Sequence, residues 1–231
     1  MGITGSLNQP DEASPFVDFQ SFPGKLRTVN PFQPEEEIIA WAAACLQNGG
    51  VLIYPTETFY GLGGDPCQET VIARVFRLKG RDDRKPLPLI AADEAAARRT
   101  AALWPEAAER LVRAFWPGPL TLVVAASSLF PPILHAHTGK VAIRVSSHAV
   151  ARGLAAGAGG LLIATSANLS EQAPCNHPDR LSPELLRQVD AVLHAGSTPG
   201  GKPSTLVDVS VEPSRLLRAG VIEWERIRSV L

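Results

Sequence analysis

The segment 51–90 limits the possible folds most narrowly, because it predicts a strand, a glycine-rich polar loop, a helix and a second strand in that order. The apolar run 51–54 ends at Pro55, and an apolar face recurs with helical spacing over residues 69–79. A second apolar run, 87–92, closes the unit. Since strands that alternate with helices are typical of α/β proteins, this segment predicts a sheet covered by helices.

The remainder of the chain continues the alternation. A helix is predicted from about Glu35 to a glycine cap at Gly49. Further helical patterns cover 95–103, 105–115, 147–156, 181–189 and 223–231, and strand patterns cover 120–125, 141–145, 161–165, 191–194, 205–209 and 215–217. The crowding of strands near the end predicts some antiparallel pairing. We predict a single domain over 28–231, preceded by a poorly ordered extension over 1–27.

Composition excludes several classes of protein. The 231 residues carry a net charge of −1, which argues against a surface coated with basic groups for general nucleic-acid binding. Three widely spaced cysteines, Cys45, Cys67 and Cys175, show no spacing typical of a metal site. No apolar run reaches the ~18 residues of a membrane span, and no secretory signal begins the chain. We therefore expect a cytoplasmic protein without a membrane partner.

A basic cluster follows the helix predicted over 69–79. Lys79 ends that helix, where a cation is favourable in itself, but Arg81, Arg84 and Lys85 have no such explanation. Converging lysine and arginine side chains stabilise phosphate oxygens, so the cluster predicts a nucleoside triphosphate or an RNA backbone as ligand. The glycines at 61–64 match neither common phosphate-binding pattern, and we interpret them as the turning points of a loop.

Polar residues follow other predicted strands. Ser166 and Asn168 come after the strand 161–165, at the edge where α/β sheets usually bind ligands, although a helix cap or a turn would explain them equally. A glycine-rich stretch precedes Ser204, and Arg218 follows the last strand. The order of residues contains no Ser-His-Asp arrangement, so an enzyme of this kind would work by positioning and by charge stabilisation.

Seven motifs, taken in order, resemble the YrdC family of threonylcarbamoyl-AMP synthases. They are PTETFYGLGGD (55–65), KGRDDRKPL (79–87), FWPGPLTLVV (115–124), VAIRV (141–145), TSANLS (165–170), KPSTLVD (202–208) and LLRAG (216–220). The resemblance covers residues 28–222. It implies a twisted mixed parallel and antiparallel sheet with flanking helices around a concave positive cavity, in a short form without the C-terminal domain of larger members.

The resemblance also implies a reaction. A nucleotidyltransferase of this family joins L-threonine, bicarbonate and ATP into L-threonylcarbamoyladenylate and releases pyrophosphate. Mg²⁺ would accompany ATP, held by the phosphates and water rather than by a protein site. The product would pass to the proteins that transfer the threonylcarbamoyl group to adenosine 37 of tRNA. Binding of tRNA or double-stranded RNA by the chain itself would be a further possibility.

Roles for individual residues follow from their positions in the motifs. The catalytic KxR and SxN pairs correspond to Lys79, Arg81, Ser166 and Asn168. The resemblance places ATP against Arg81, Lys85, Lys140, Asn168, Asn176 and Arg218. It places threonine against Thr58, Arg144, Ser166 and Ser204, with Arg144 pairing with the substrate carboxylate. No metal-binding residues are implied.

Departures from the family pattern leave two alternatives open. Ile90 stands where many members carry a histidine near threonine, and Ser146 stands where proline is common. The chain could therefore be a related enzyme that uses a different amine. It could also be an RNA-binding module for tRNA or rRNA maturation on the same fold.

Overall fold

The computed structural model describes residues 22, 24–80 and 83–231. Its helices are α1 (Glu36–Gln47), α2 (Glu69–Lys79), α3 (Glu94–Arg98), α4 (Glu106–Phe115), α5 (Ala149–Gly157), α6 (Pro183–Gln188) and α7 (Trp224–Arg228). Its strands are β1 (Leu26–Thr28), β2 (Leu52–Tyr54), β3 (Gly61–Gly63), β4 (Leu89–Ala91), β5 (Leu120–Ala125), β6 (Lys140–Val145), β7 (Leu161–Ile163), β8 (Thr165–Ser166), β9 (Ala191–His194), β10 (Thr205–Asp208) and β11 (Arg215–Arg218). In the same described residues, 3₁₀ turns span Pro132–His135 and Pro178–Arg180.

The strands form two mixed sheets. One has the order β1-β9-β2-β3-β8 and the other the order β11-β10-β5-β6-β4-β7. The second combines parallel pairs, such as β4 with β6, with antiparallel pairs, such as β5 with β6. The predicted α/β class is confirmed, as is antiparallel pairing near the end of the chain, where β10 meets β11.

Helix α2 has the bounds that the sequence predicts, because its local signals agree. Val71, Ile72 and Val75 recur on one face and are buried in the core. The helix ends at Gly80, whose φ of 56° lies in the left-handed region that glycine adopts without steric cost. This end fixes the direction in which Lys79 leaves the helix.

The prediction of a glycine loop was wrong. Residues 61–63 form β3, an internal strand between β2 and β8, and none of the glycines at 61–64 has a positive φ. A Cβ atom on Gly63 would lie only 1.7 Å from the Ile163 carbonyl oxygen. These glycines therefore allow neighbouring backbone to approach closely instead of allowing a turn.

The predicted strand 161–165 is in fact two strands. Residues 161–163 form β7 of the six-stranded sheet, whereas 165–166 form β8 of the five-stranded sheet. The chain thus crosses from one sheet to the other at Ala164. Periodicity could not reveal this crossing, because residues 161–164 form one apolar run and the whole segment is buried.

Strand β1 has no counterpart among the predicted elements. Its residues are partly exposed, and it is held by parallel pairing with β9. Residues 26 and 27 belong to this strand although they lie within the predicted extension. Residues 1–21 and 23 lie outside the described residues, so the extension and the single domain over 28–231 stay predictions.

The buried apolar residues fall into two clusters. One is formed by α1 and α5, through Leu46 and Leu154, against β2 and β9, while the other surrounds the six-stranded sheet. Each fully buried Leu or Ile contributes about 1.5–3 kcal/mol through removal from water. Within the described ranges, no helix is long and apolar enough to cross a membrane.

Candidate functional site

A cavity of about 480 Å³ is lined by strands of both sheets. A volume of this order suits a small-molecule ligand. Its basic lining residues are Lys140, Arg144 and Arg218, and Asp208 is the one acidic residue among the described residues that line it. The lining is therefore net positive, as the resemblance implies.

The two-residue repeat of the strands explains how polar groups reach this cavity. On β6, Lys140, Ala142 and Arg144 line the cavity, whereas Val141 and Ile143 enter the core. Strand β10, which pairs with the other side of β5, likewise presents Leu206 and Asp208 to the cavity. The order β10-β5-β6 in the sheet thus gathers side chains that are far apart in the sequence.

Arg144 is held in a buried ion pair. Its Nε donates to Glu57 Oε1 at 2.9 Å, and the two side chains are only 6% and 9% exposed. Ser146 Oγ donates to the other oxygen, Glu57 Oε2. Burial alone would raise the pKa of Glu57, but the charge of Arg144 and the hydrogen bonds hold that pKa below its ordinary value. Glu57 is thus a carboxylate at neutral pH.

A second ion pair joins Lys140 of β6 to Asp208 of β10. Lys140 Nζ donates to Asp208 Oδ2 at 2.9 Å, while Ser210 donates to Asp208 Oδ1 through both its backbone nitrogen and its hydroxyl. Burial would raise the pKa of Asp208, but the hydrogen bonds from Ser210 and Lys140 lower it. The ion pair with Asp208 therefore holds the Lys140 ammonium group in a fixed position at the cavity wall.

A third cation is fixed by the backbone. Arg218 donates through Nε and one terminal nitrogen to the Ser204 carbonyl, at 3.2 and 3.0 Å. The Ser204 hydroxyl lies 2.8 Å from the Thr121 hydroxyl, where either can donate. This network joins β5, β10 and β11 at the cavity wall.

Lys79 of the KxR motif meets the SxN motif at the cavity edge. Lys79 Nζ donates to the Ser166 carbonyl at 2.6 Å, to the Asn168 carbonyl at 2.8 Å and to Asn168 Oδ1 at 2.9 Å. Lys79 is 3% exposed, which is unusual for a lysine. It holds the turn that carries Ser166, whose side chain lines the cavity.

Thr58 reaches the cavity from a turn that Thr56 stabilises. The Thr56 hydroxyl donates to the Phe59 carbonyl at 2.7 Å and accepts from the Thr58 nitrogen at 3.2 Å. Capping by hydroxyl side chains in this way is common in loops. Both threonines are nevertheless buried at the cavity wall, so one loop serves both structure and lining.

The structure brings together most of the residues that the sequence analysis assigns to a site. Six line the cavity: Thr58, Lys140, Arg144, Ser166, Ser204 and Arg218. Lys79 and Asn168 lie behind Ser166. Exposed Lys85 and half-buried Asn176 are absent from the described lining. Arg81 lies outside the described residues. Every assigned role stays a prediction.

Ile90 is a core residue beside one of the cavity cations. It is fully buried in the cluster with Tyr54 and Leu162, it pairs in register with Arg144 of β6, and it is absent from the described residues that line the cavity. A change from histidine to isoleucine at this position therefore alters the packing beside Arg144, and its effect on threonine binding stays a prediction.

Sequence reasoning missed part of the site. Glu57, Ser146, Asp208 and Ser210 orient the cavity cations, yet none was assigned a role. The alternation of β10 offers a signal for Asp208, since a carboxylate ending an otherwise apolar strand needs a partner. Glu57 and Ser146 carry no such signal, because their pairing joins two distant loops.

The fold and this cavity define an α/β protein with a positively lined small-molecule site. Comparison with known protein families identifies the family to which it belongs. A family model named Sua5_yciO_yrdC, described as "Telomere recombination", matches residues 44–220. The chain belongs to this family, which confirms the resemblance of its seven motifs.

Several relatives carry the name threonylcarbamoyl-AMP synthase, among them the two that follow. The protein from Stenotrophomonas maltophilia is 40% identical over 162 residues, which cover 69% of this chain and 86% of the relative. The protein from Pyrococcus abyssi is 33% identical over 197 residues, which cover 85% of this chain. This chain spans only 58% of the length of the P. abyssi relative.

Solved structures share the fold. A crystal structure of P. abyssi Sua5 complexed with L-threonine has a TM-score of 0.85 and 32% identity, covering 89% of this chain and 60% of the other. Escherichia coli YciO has a TM-score of 0.81 and 24% identity, covering 90% of this chain and 99% of the other, and shows the fold alone.

Proposed function

We propose that this protein is an L-threonylcarbamoyladenylate synthase, a nucleotidyltransferase that converts L-threonine, bicarbonate and ATP into L-threonylcarbamoyladenylate and pyrophosphate. The names of the relatives and the threonine complex of P. abyssi Sua5 support this activity. The product would serve the modification of adenosine 37 in tRNA, and a cytoplasmic location would give access to ATP and tRNA.

One observation carries the proposal. Lys140 and Arg144 lie four residues apart on β6 and line the same cavity, which places their Cα atoms about 13 Å apart along the strand. That span suits a ligand with a carboxylate at one end and phosphates at the other. An amino acid bound at Arg144 would thus lie in line with a nucleotide bound near Lys140 and Arg218.

The chemistry requires two bond-forming steps. The neutral threonine amine first attacks the carbon of bicarbonate, and loss of water leaves a carbamate. A carbamate oxygen then attacks the α-phosphorus of ATP, and the bond to pyrophosphate breaks. The chain supplies position and charge: Arg144 holds the carboxylate, and Lys140 and Arg218 offset the charge of the phosphates.

Mg²⁺ enters this account with ATP. Asp208 is the acidic residue of the described cavity lining, and both of its oxygens already accept hydrogen bonds from Lys140 and Ser210. Because both Asp208 oxygens are occupied by these hydrogen bonds, the described lining fits an ion that is held by the phosphates and by water rather than by the protein. Mg²⁺ would then neutralise phosphate charge, while Asp208 keeps Lys140 in place.

Pyrophosphate release provides the test. The purified chain, supplied with ATP and Mg²⁺, should release pyrophosphate only when both L-threonine and bicarbonate are present. Omission of either should reduce the rate to background. Release that ignores threonine or bicarbonate, or none from a folded protein, would refute the proposal.

The alternative of an RNA-binding module gains no specific support from the cavity, which has the size of a small-molecule site. Its test is retention of tRNA with a steep dependence on salt. The proteins that transfer the threonylcarbamoyl group to tRNA remain the expected recipients of the product.

A further inference from the structure

The Arg144 guanidinium is only partly used by the protein. Among the described residues it donates through Nε alone, to Glu57 Oε1 at 2.9 Å. Its terminal nitrogens are not sealed in the core, since Trp104 Nε1 and His148 Nδ1 are the only fully buried, unpartnered side-chain nitrogen or oxygen atoms in the described part of the chain. Because Arg144 lines the cavity, this two-nitrogen fork is available to a ligand there.

Glu57 lies behind Arg144 and does not line the cavity in the described structure. It is anchored twice, by Arg144 on one oxygen and by the Ser146 hydroxyl on the other. Ser146 is itself fixed: its hydroxyl accepts from the His148 nitrogen at 3.1 Å, and its carbonyl accepts from Arg152 at 2.6 Å. Ser146 is 0% exposed. Hydrogen bonds thus link Arg152, Ser146, Glu57 and Arg144, in that order, into one rigid support.

We propose that Glu57 and Ser146 are positioning residues that orient the Arg144 fork toward the carboxylate of the amino-acid substrate. This inference rests on the proposed function and deepens it. A guanidinium binds a carboxylate through two parallel hydrogen bonds in its own plane, so a fixed plane prepares it for the ligand at a smaller entropic cost. Glu57 fixes that plane by occupying Nε, so the terminal nitrogens are left for the ligand.

Two effects of Glu57 oppose each other. Its negative charge lowers the attraction of Arg144 for a second carboxylate, whereas its hydrogen bond fixes the direction of the fork. The supporting contacts from Ser146 indicate that direction is the main effect, since a hydroxyl fixes the Glu57 side chain but adds no charge. The two effects predict different results for Glu57→Gln and Glu57→Ala, because glutamine keeps an acceptor for Nε but loses the charge.

The test compares the KM for L-threonine in the pyrophosphate-release assay. Glu57→Ala should raise it about tenfold or more, because a displaced binding group weakens binding steeply. Glu57→Gln should stay within about threefold of the wild type, since an oxygen acceptor remains. The KM for ATP should change by less than about twofold in both variants. Ser146→Ala should raise the threonine KM about threefold, since it removes one anchor of Glu57.

A second readout separates positioning from general stability. L-Threoninamide lacks the carboxylate. Binding titrations should therefore show that the preference for L-threonine over L-threoninamide is about tenfold smaller in Glu57→Ala than in the wild type.

Asp190→Asn is the matched control: Asp190 also pairs with an arginine, Arg74, and accepts from a backbone nitrogen, but it is absent from the described cavity lining. It should lower the Tm without changing the threonine KM.

Several results would overturn the inference. One is a threonine KM as high in Glu57→Gln as in Glu57→Ala, which would mean that an oxygen acceptor for Nε does not set the direction of the fork. A second is a threonine KM lowered in both variants, which would mean that the charge of Glu57 and not its direction dominates. Another is a threonine KM unchanged in Glu57→Ala or, if that variant does not fold, in Ser146→Ala. Failure of the proposed function looks different, because the wild type itself would then release no threonine-dependent pyrophosphate.

Discussion

Lys79 and Asn168 are joined by two hydrogen bonds, from Lys79 Nζ to the Asn168 carbonyl at 2.8 Å and to its Oδ1 at 2.9 Å. The buried lysine therefore connects the end of α2 to the turn after β8, next to Ser166, which lines the cavity. In this structure Lys79 orders the site from behind, and any direct role toward the triphosphate stays a prediction.

Replacement of this lysine tests the connection. Lys79→Met should reduce the rate of pyrophosphate release at least about a hundredfold. It should also lower the free energy of unfolding by about 2 kcal/mol, because the carbonyls of Ser166 and Asn168 lose a buried donor. Chemical denaturation and the release assay measure the two effects. Full activity in Lys79→Met would show that the connection is dispensable.

Arg144 offers a test of carboxylate recognition. Arg144→Lys keeps the positive charge but replaces the planar fork with a single ammonium group. The KM for threonine should rise about tenfold or more, while the KM for ATP should hardly change. Lys140→Arg serves as a comparison, because it changes a cation at the other end of β6. A rise in the ATP KM in place of the threonine KM in Arg144→Lys would reverse our orientation of the substrates.

Gly63 tests the packing of β3 against the adjoining backbone. Gly63→Ala should lower the free energy of unfolding by about 3 kcal/mol or more, since its Cβ would lie 1.7 Å from the Ile163 carbonyl oxygen. Gly153→Ala, on α5, is the control. The nearest atoms there lie 3.5 Å or more away, so alanine should stabilise the helix by about 0.5–1 kcal/mol. Equal effects of the two changes would contradict the packing described for β3.

The Glu57 carboxylate predicts how stability depends on pH. Its pKa is lowered from the ordinary 4.5, because Arg144 and Ser146 outweigh the effect of burial. A lowered pKa means that the unfolded chain binds the proton first, so the stability from this group is present above pH 4.5 and is lost as the pH falls through the folded-state pKa. In denaturation experiments Glu57→Gln should therefore lose less stability than the wild type below pH 4.5. Identical acid profiles would show that the pair contributes nothing.

The fold could be predicted where local signals agree. The bounds of α2, β5 and β9 follow from periodicity and from end signals such as Gly80. Strand β3 could not be predicted, since glycine favours turns and its role here depends on the distant Ile163. The split of 161–165 into β7 and β8 likewise depends on which sheet each half joins.

The candidate site, like the fold, could be predicted from the sequence only in part. The motifs located cations such as Arg144 and Arg218, because phosphates and carboxylates require those residue types. They did not locate Glu57 or Ser146, whose function arises only when the loop after β2 meets the end of β6. The resemblance placed Ile90 near threonine, and the structure shows it fully buried beside Arg144 and absent from the described cavity lining.

The most direct test of the account follows carbon from bicarbonate into product. The protein should be incubated with labelled bicarbonate, L-threonine, ATP and Mg²⁺, and the products identified by mass spectrometry. We predict one labelled compound that contains the bicarbonate carbon, threonine and AMP, formed in equal amount with pyrophosphate. An adenylate of threonine without the labelled carbon, or labelled product formed without threonine, would contradict the account.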